Sequence, residues 1–195
     1  ETGKYIFEIN EPTGAAVLNI PIYADNGLPL IPDYFDLNNP SLDTTGALNT
    51  SGKRLELLGY INASRVAQGL GAVVLDPELN QLAQLHSEDM VTRKFFAHVN
   101  PSNESPTDRR KKLGIKTSVQ ENLAQSTTVL HGHEGLMRSP IHRSNIVTPE
   151  WTRVGLGIAR DSEGYLFITQ EFSANPLTES DVTQIKVDFI SYINS

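Results

Sequence analysis

The chain has 195 residues, 38% apolar and 20% charged, with 16 Lys and Arg against 23 Asp and Glu and a formal charge of −7. That length suits one ordinary domain plus an extension, and that composition is of a folded soluble protein, not a disordered one. The acidic balance argues against broad nucleic-acid binding, no apolar run reaches the roughly 18–20 residues that span a bilayer, and zero cysteines exclude disulfides and thiolate metal sites.

Residues 4–22 hold two β-type runs, Tyr5-Ile6-Phe7-Glu8-Ile9 and Ala16-Val17-Leu18-Asn19-Ile20, split by the turn signal Pro12-Thr13-Gly14. Residues 24–52 are rich in Asn, Pro, Asp, Thr and Gly without a sustained period and read as a wrap or linker. From Lys53 the pattern turns helical: Leu55, Leu58, Asn62 and Arg65 share a face, and Gly69 or Gly71 supplies the stop. Asp76-Pro77 opens a second helix, with Asp as N-cap and Pro in the first turn, where its missing N–H costs nothing. Leu79, Leu82, Ala83, His86 and Met90 form its buried stripe, so His86 reads as a hydrogen-bonded core histidine.

A third helix starts at Ser105-Pro106-Thr107-Asp108 and stops at Gly114; its basic run, Arg109-Arg110-Lys111-Lys112, reads as a solvated face. Val119 to Gln125 reads as a strand and Val129 to Arg138 as a helix, followed by a Ser139-Pro140 capped turn. A hairpin closes the pattern: Val154, Leu156 and Ile158 alternate with Arg153, Gly155 and Gly157, residues 161–164 turn, and Tyr165 to Phe172 returns. Val182, Ile185, Phe189 and Ile193 give the tail an amphipathic helical spacing, expected to dock on the domain, with partner binding as the other reading. The expected division is an extension over 1–52, a main domain over 53–175 and a tail helix over 176–195. Its core is expected to use Leu58, Leu79, Leu82, Met90, Leu156, Ile158, Phe167 and Phe172.

Three distant segments carry side chains able to bind a metal or move a proton: His98 after Phe95-Phe96-Ala97, Glu121 in Gln120-Glu121-Asn122-Leu123, and His142 in Ser139-Pro140-Ile141-His142. Two imidazoles leave a Zn or Mg cation with open positions for water, and a Glu beside that water can act as base. Ser139 reads as a helix N-cap, not as an attacking hydroxyl. His131-Gly132-His133 shares a face only on a strand, so it reads poorly as a second metal site. Asn49, Asn62 and Asn103 stand in Asn-x-Ser triplets, of which Asn49 and Asn103 lie in polar loops. No leader segment is recognisable, and Glu1-Thr2-Gly3 reads as a remnant left after leader removal, which points to secretion.

From Leu57 to Ser173 the chain resembles the CAP superfamily (cysteine-rich secretory, antigen 5 and pathogenesis-related 1 proteins), in particular its cysteine-free bacterial-type members. The resemblance rests on Asn62-Ala63-Ser64-Arg65, Gly69-Leu70, Asp76-Pro77-Glu78-Leu79, His86-Ser87-Glu88-Asp89-Met90, Phe96-Ala97-His98, Glu121-Asn122-Leu123, residues 139–146, Val154-Gly155-Leu156-Gly157 and Thr169-Gln170-Glu171-Phe172. It implies an α+β fold, an α-β-α sandwich around a three-stranded antiparallel sheet, with His98, Glu121 and His142 in a shallow cavity. Ser139 stands where many animal members carry a second cavity Glu, and Leu136 where an aromatic is common. His133 and Glu134 are the nearby side chains able to lean in instead. The resemblance makes Asn62 a buried, unmodified motif residue and gives Arg65 a supporting role toward a neighbouring helix or loop. It favours a secreted or cell-surface, non-enzymatic binding module for a lipid, sterol or protein ligand, with a weak cation on His98 and His142. The alternatives are a metal-assisted hydrolase with Glu121 as its base, and an adhesion domain with a vestigial cavity.

Overall fold

The structure is a computed structural model that describes residues 3–10, 16–24 and 47–175. Strands β1 (Gly3–Asn10) and β2 (Ala16–Ala24) form an antiparallel hairpin in which Gly3 pairs with Ala24 and Ile9 with Leu18. Both expected β runs are thus strands, each longer than its apolar stretch. Of the linker expected over 24–52, residues 25–46 fall outside the described residues, as does the tail helix, while Ala24 ends β2 and residues 50–52 open a helix.

From residue 47 on, the chain folds as α1 (Thr50–Val66), β3 (Val74–Leu75), α2 (Pro77–Arg93), α3 (Pro106–Lys112), β4 (Gln120–Ser126), α4 (Val129–Arg138), α5 (Pro140–Ile146), β5 (Arg153–Arg160) and β6 (Leu166–Ser173). The sheet order is β3-β5-β6-β4. The expected three antiparallel strands are present, but the sheet is mixed: β3 joins parallel to the start of β5. The amides of Val74 and Asp76 donate to Thr152 O and Val154 O at 3.1 and 3.0 Å. A two-residue strand carries no period, which is why the sequence does not announce it.

Residue alternation divides the helices between the two faces. Val154, Leu156, Ile158, Ile168 and Phe172 point into the larger core with Leu57 and Ile61 of α1, Val129 and Leu136 of α4, and Ile146 of α5. On the opposite face, α2 lies directly on β5. A Cβ at Gly155 would stand 2.1 Å from the backbone carbonyl of Leu79, and one at Gly157 2.1 Å from that of Ala83. Only glycine lets the helix come this close. Met90 packs with Leu123 and Phe167, and Ser87 Oγ meets Thr169 Oγ1 at 2.9 Å.

Caps hold the helix starts largely as expected. Asp76 accepts from the amides of Glu78 and Leu79, and Ser105 and Asp108 close a reciprocal capping box. Helix α1 differs. Asn49 caps it by accepting from Gly52 N at 2.9 Å, so it begins three residues before Lys53. Its buried face is Leu57, Ile61 and Arg65, not the Leu55 face: Leu55 is 62% exposed and Leu58 only half-buried at the core margin. The remaining expected core residues are buried. Among the described residues no helix is long and apolar enough to cross a membrane.

Candidate functional site

Glu121 and Asn122 are consecutive on β4, so their side chains leave opposite faces of the sheet, and each organises one side of the site. Glu121 points toward the α2 and α3 layer, where its side chain is 2% exposed. Its Oε1 accepts from His98 Nδ1 at 2.7 Å and its Oε2 from Arg109 Nη2 at 2.6 Å. With the proton on Nδ1, His98 presents Nε2 outward from a ring that is 35% exposed. Arg109 Nη1 also donates to His98 O at 2.7 Å and Glu104 O at 3.0 Å, so one guanidinium fixes the carboxylate and the loop bearing the histidine. Burial pushes the Glu121 carboxyl up, but the His98 hydrogen bond and the Arg109 charge outweigh it and hold it below the ordinary glutamate value.

Asn122 faces α5. Its Nδ2 donates to His142 O at 3.0 Å and Gln170 Oε1 at 3.2 Å, while its Oδ1 accepts from Asn145 Nδ2 at 2.8 Å. The ring of His142 pairs with Ser139: Nδ1 and Oγ are 2.8 Å apart. Ser139 does hold the N-cap position of α5, but its hydroxyl makes no cap hydrogen bond and serves His142 instead. The structure thus joins His98 to Glu121 directly, and ties His142 to the same strand through its backbone and the neighbouring Asn122.

The other candidates lie elsewhere. His86 is fully buried in α2, with Nε2 3.1 Å from Ala97 O; burial lowers its pKa to about 4, so it is the neutral core histidine expected. His133 turns away from Glu121 toward α1, where Nε2 meets Ser64 Oγ at 2.8 Å and the ring stacks on Tyr60. His131 is exposed beside Thr127 Oγ1, so the His131–His133 pair splits, as a helix requires. The Asn62 amide is engaged at both ends, donating to Val73 O at 3.0 Å and accepting from Val73 N at 2.8 Å, although the residue is half-buried. Arg65 is wholly buried and donates to the carbonyls of Gly71, Ile146, Thr148 and Trp151.

Two residues of the site are not anticipated by the sequence reading. Arg109 belongs to the run read as solvated, yet it is 8% exposed and carries the site's only guanidinium contact to Glu121 among the described residues. The signal was available: Arg109 falls one position after the capping Asp108, on the α3 side facing β4, while Lys111 and Lys112 continue around the helix. The second is Glu171, wholly buried on β6 and paired in register with Glu121.

Glu121 fits poorly as a ligand of a resident cation. Both oxygens of Glu121 are engaged, one by a guanidinium that would repel a metal. Among the described residues no group of three or more His, Asp or Glu is placed to hold one.

A groove of about 470 Å³ runs beside the site between α2 and α3. Leu82, Leu85 and Leu113 give it apolar lining, of which Leu82 is buried and the other two exposed, and Arg109 lines it while reaching inward to Glu121.

Comparison with known proteins agrees with this architecture. A curated relative from Bacillus subtilis, the uncharacterized protein YkwD, is 30% identical over 131 residues, 66% of this chain and 50% of its own. A second, the uncharacterized membrane protein YlbC of the same organism, is 29% identical over 60% of this chain and 33% of its own length. The chain therefore spans half or less of each of these relatives. Among solved structures, an extracellular protein containing an SCP domain from Bacillus anthracis superposes with a TM-score of 0.60 at 24% identity, over 67% of this chain and 45% of that one. An outer surface protein from Borrelia burgdorferi gives 0.62 at 16% identity over 68% of this chain and all of that one. At these identities the superpositions speak for the fold alone. The cysteine-rich secretory protein family, CAP, matches residues 58–172, well over half of the sequence, and the chain belongs to that family.

Proposed function

We propose that this chain is an extracellular, non-enzymatic binding module that takes a small amphiphilic ligand, lipid- or sterol-like, in the groove between α2 and α3. One observation carries the non-enzymatic reading: both oxygens of Glu121 are occupied, by Arg109 and by His98. A carboxylate held in this way braces the loop and helix around it and has no free oxygen with which to activate water. The apolar lining of Leu82, Leu85 and Leu113, beside charged residues such as Glu88, Arg93 and Lys112, suits a ligand with an apolar body and a polar end. The extracellular setting is supported by what the neighbouring structures are, an extracellular and an outer surface protein.

Titration with a fluorescent fatty acid and a fluorescent sterol tests this reading. The expected result is saturable binding of at least one probe, unchanged by EDTA and lost in Leu85→Asp. Absence of binding to both would overturn it.

A hydrolase is the second reading, favoured by the orientation of His98, whose Nδ1 is fixed on Glu121 and whose Nε2 faces outward as a base would. Turnover of a peptide substrate that disappears in His98→Ala would establish it.

A further inference from the structure

β5 is shielded by β3 only at its start, where Arg153 and Val154 pair with Val74 and Leu75. Beyond that point the outer edge of β5 has no strand beside it among the described residues, yet its backbone groups are paired. Leu156 N donates to Asn80 Oδ1 at 2.9 Å, and Leu156 O accepts from Arg54 Nε at 2.7 Å. Two residues on, Ile158 N donates to Gln84 Oε1 and Ile158 O accepts from Gln84 Nε2, both at 3.0 Å. Gln84 Oε1 also accepts from Arg54 Nη2 at 3.2 Å, which links the side chains to one another.

The match has a geometric basis. Asn80 and Gln84 are one helical turn apart, about 6 Å along α2. Leu156 and Ile158 are two residues apart on a strand, about 6.6 Å. Gly155 and Gly157 bring α2 down onto β5, so that side chains one position after Leu79 and Ala83 reach the strand's edge. Gln84 offers an acceptor and a donor in the order that a neighbouring strand's peptide unit would.

The strand thus covered is Val154-Gly155-Leu156-Gly157-Ile158-Ala159, uncharged and apolar between two arginines. An open edge of this composition is a template for pairing with another chain. A second copy is the partner that fits. Turned antiparallel about Gly157, it would set Leu156 opposite Ile158 and match the outward backbone groups of both.

We propose that Asn80, Gln84 and Arg54 act as a side-chain strand that closes the edge of β5 and prevents a second copy of this chain from adding to the sheet there.

The test is sedimentation velocity on the full chain and on Asn80→Ala/Gln84→Ala, with amide hydrogen exchange and far-ultraviolet circular dichroism. The expected variant keeps its secondary structure and exchanges the Leu156 and Ile158 amides at least about tenfold faster. Gly157, whose amide faces β6, exchanges at the wild-type rate. The variant also sediments as a dimer or larger species with rising concentration, while the wild type does not. A variant that is folded and exchanges faster at both amides, but stays monomeric at the highest concentration, overturns the proposal; so does wild-type exchange at those amides. If the double variant lacks native circular dichroism, Gln84→Ala alone, which frees one N–H and one C=O of Ile158, is read by the same two outcomes.

Discussion

Glu171 and Glu121 stand directly across from each other on β6 and β4, and hydrogen-bonded donors reach only Glu121. Both oxygens of Glu171 are buried without a hydrogen-bond donor among the described residues. Burial first, and the Glu121 charge second, push the Glu171 carboxyl well above the ordinary glutamate range, with Arg109 opposing only in part. Glu171 therefore keeps its proton far above the pH at which an exposed glutamate loses it. The cluster then holds one carboxylate against one guanidinium, with His86 neutral beside them.

Replacing Glu171 by Gln should stabilise the protein at neutral pH. Below about pH 4.3, the reference glutamate value, the side chain is protonated in folded and unfolded chains alike and costs nothing. As pH rises through that value the unfolded chain ionises while the folded one cannot, so stability is lost progressively until the raised folded pKa is passed. Gln has the same shape and no charge to lose. Urea unfolding should show a gain on the order of 1 kcal/mol or more at pH 7 and little difference near pH 4. Equal gains at both values would mean that Glu171 does not titrate as argued.

The opposite sign holds for Arg109. In Arg109→Leu a buried carboxylate is left facing a buried carboxyl, at a cost of about 3–5 kcal/mol. Adding Glu121→Gln removes the stranded charge and should recover a sizeable part of that loss. A double-mutant cycle by chemical denaturation measures the coupling; simple additivity of the two substitutions would dismiss the ion pair as the cause.

The elements with strong local signals were legible in the sequence: the Asp76-Pro77 and Ser105–Asp108 helix starts, the α2 stripe and the β5–β6 hairpin all stand where the residues put them. What failed depended on tertiary context. In α1 the inner face is Leu57, Ile61 and Arg65 while Leu55 turns to solvent, and what fixes Arg65 there is four backbone carbonyls, three of them from residues 146–151. A run of four basic residues reads as solvated; Arg109 departs from it because its partner Glu121 lies twelve residues away on another element. The His98–Glu121 contact came through family resemblance, since spacing alone does not foretell it. Ser139 stands at a helix start, but its hydroxyl bonds His142, a choice between two nearby partners that sequence does not express.

Gly155 offers a test of the α2–β5 contact independent of the polar cluster. A Cβ there would meet the carbonyl carbon and oxygen of Leu79 at 2.1 Å, backbone atoms that cannot rotate away. Gly155→Ala must lift α2 from the sheet, costing about 1–3 kcal/mol or more. Gly135→Ala, with open space around it on α4, is the control and should be neutral or slightly stabilising. Thermal unfolding of the pair separates close approach from a general effect of glycine loss.

A cation shared by His98 and His142 is the expectation raised by their order in the sequence, and we propose that the surroundings of Glu121 disfavour it. The carboxylate that would complete such a site already accepts from a guanidinium at 2.6 Å and an imidazole at 2.7 Å. A metal that took Glu121 as a ligand would have to displace Arg109, which also holds the carbonyls of His98 and Glu104, so binding there would disrupt the loop that bears His98. Isothermal titration with zinc should give superimposable isotherms for the wild type and His142→Ala. In Arg109→Leu, where the guanidinium is gone, any zinc uptake should instead increase. A wild-type isotherm at micromolar affinity that vanishes in both His98→Ala and His142→Ala would show that the two rings share an ion despite Arg109.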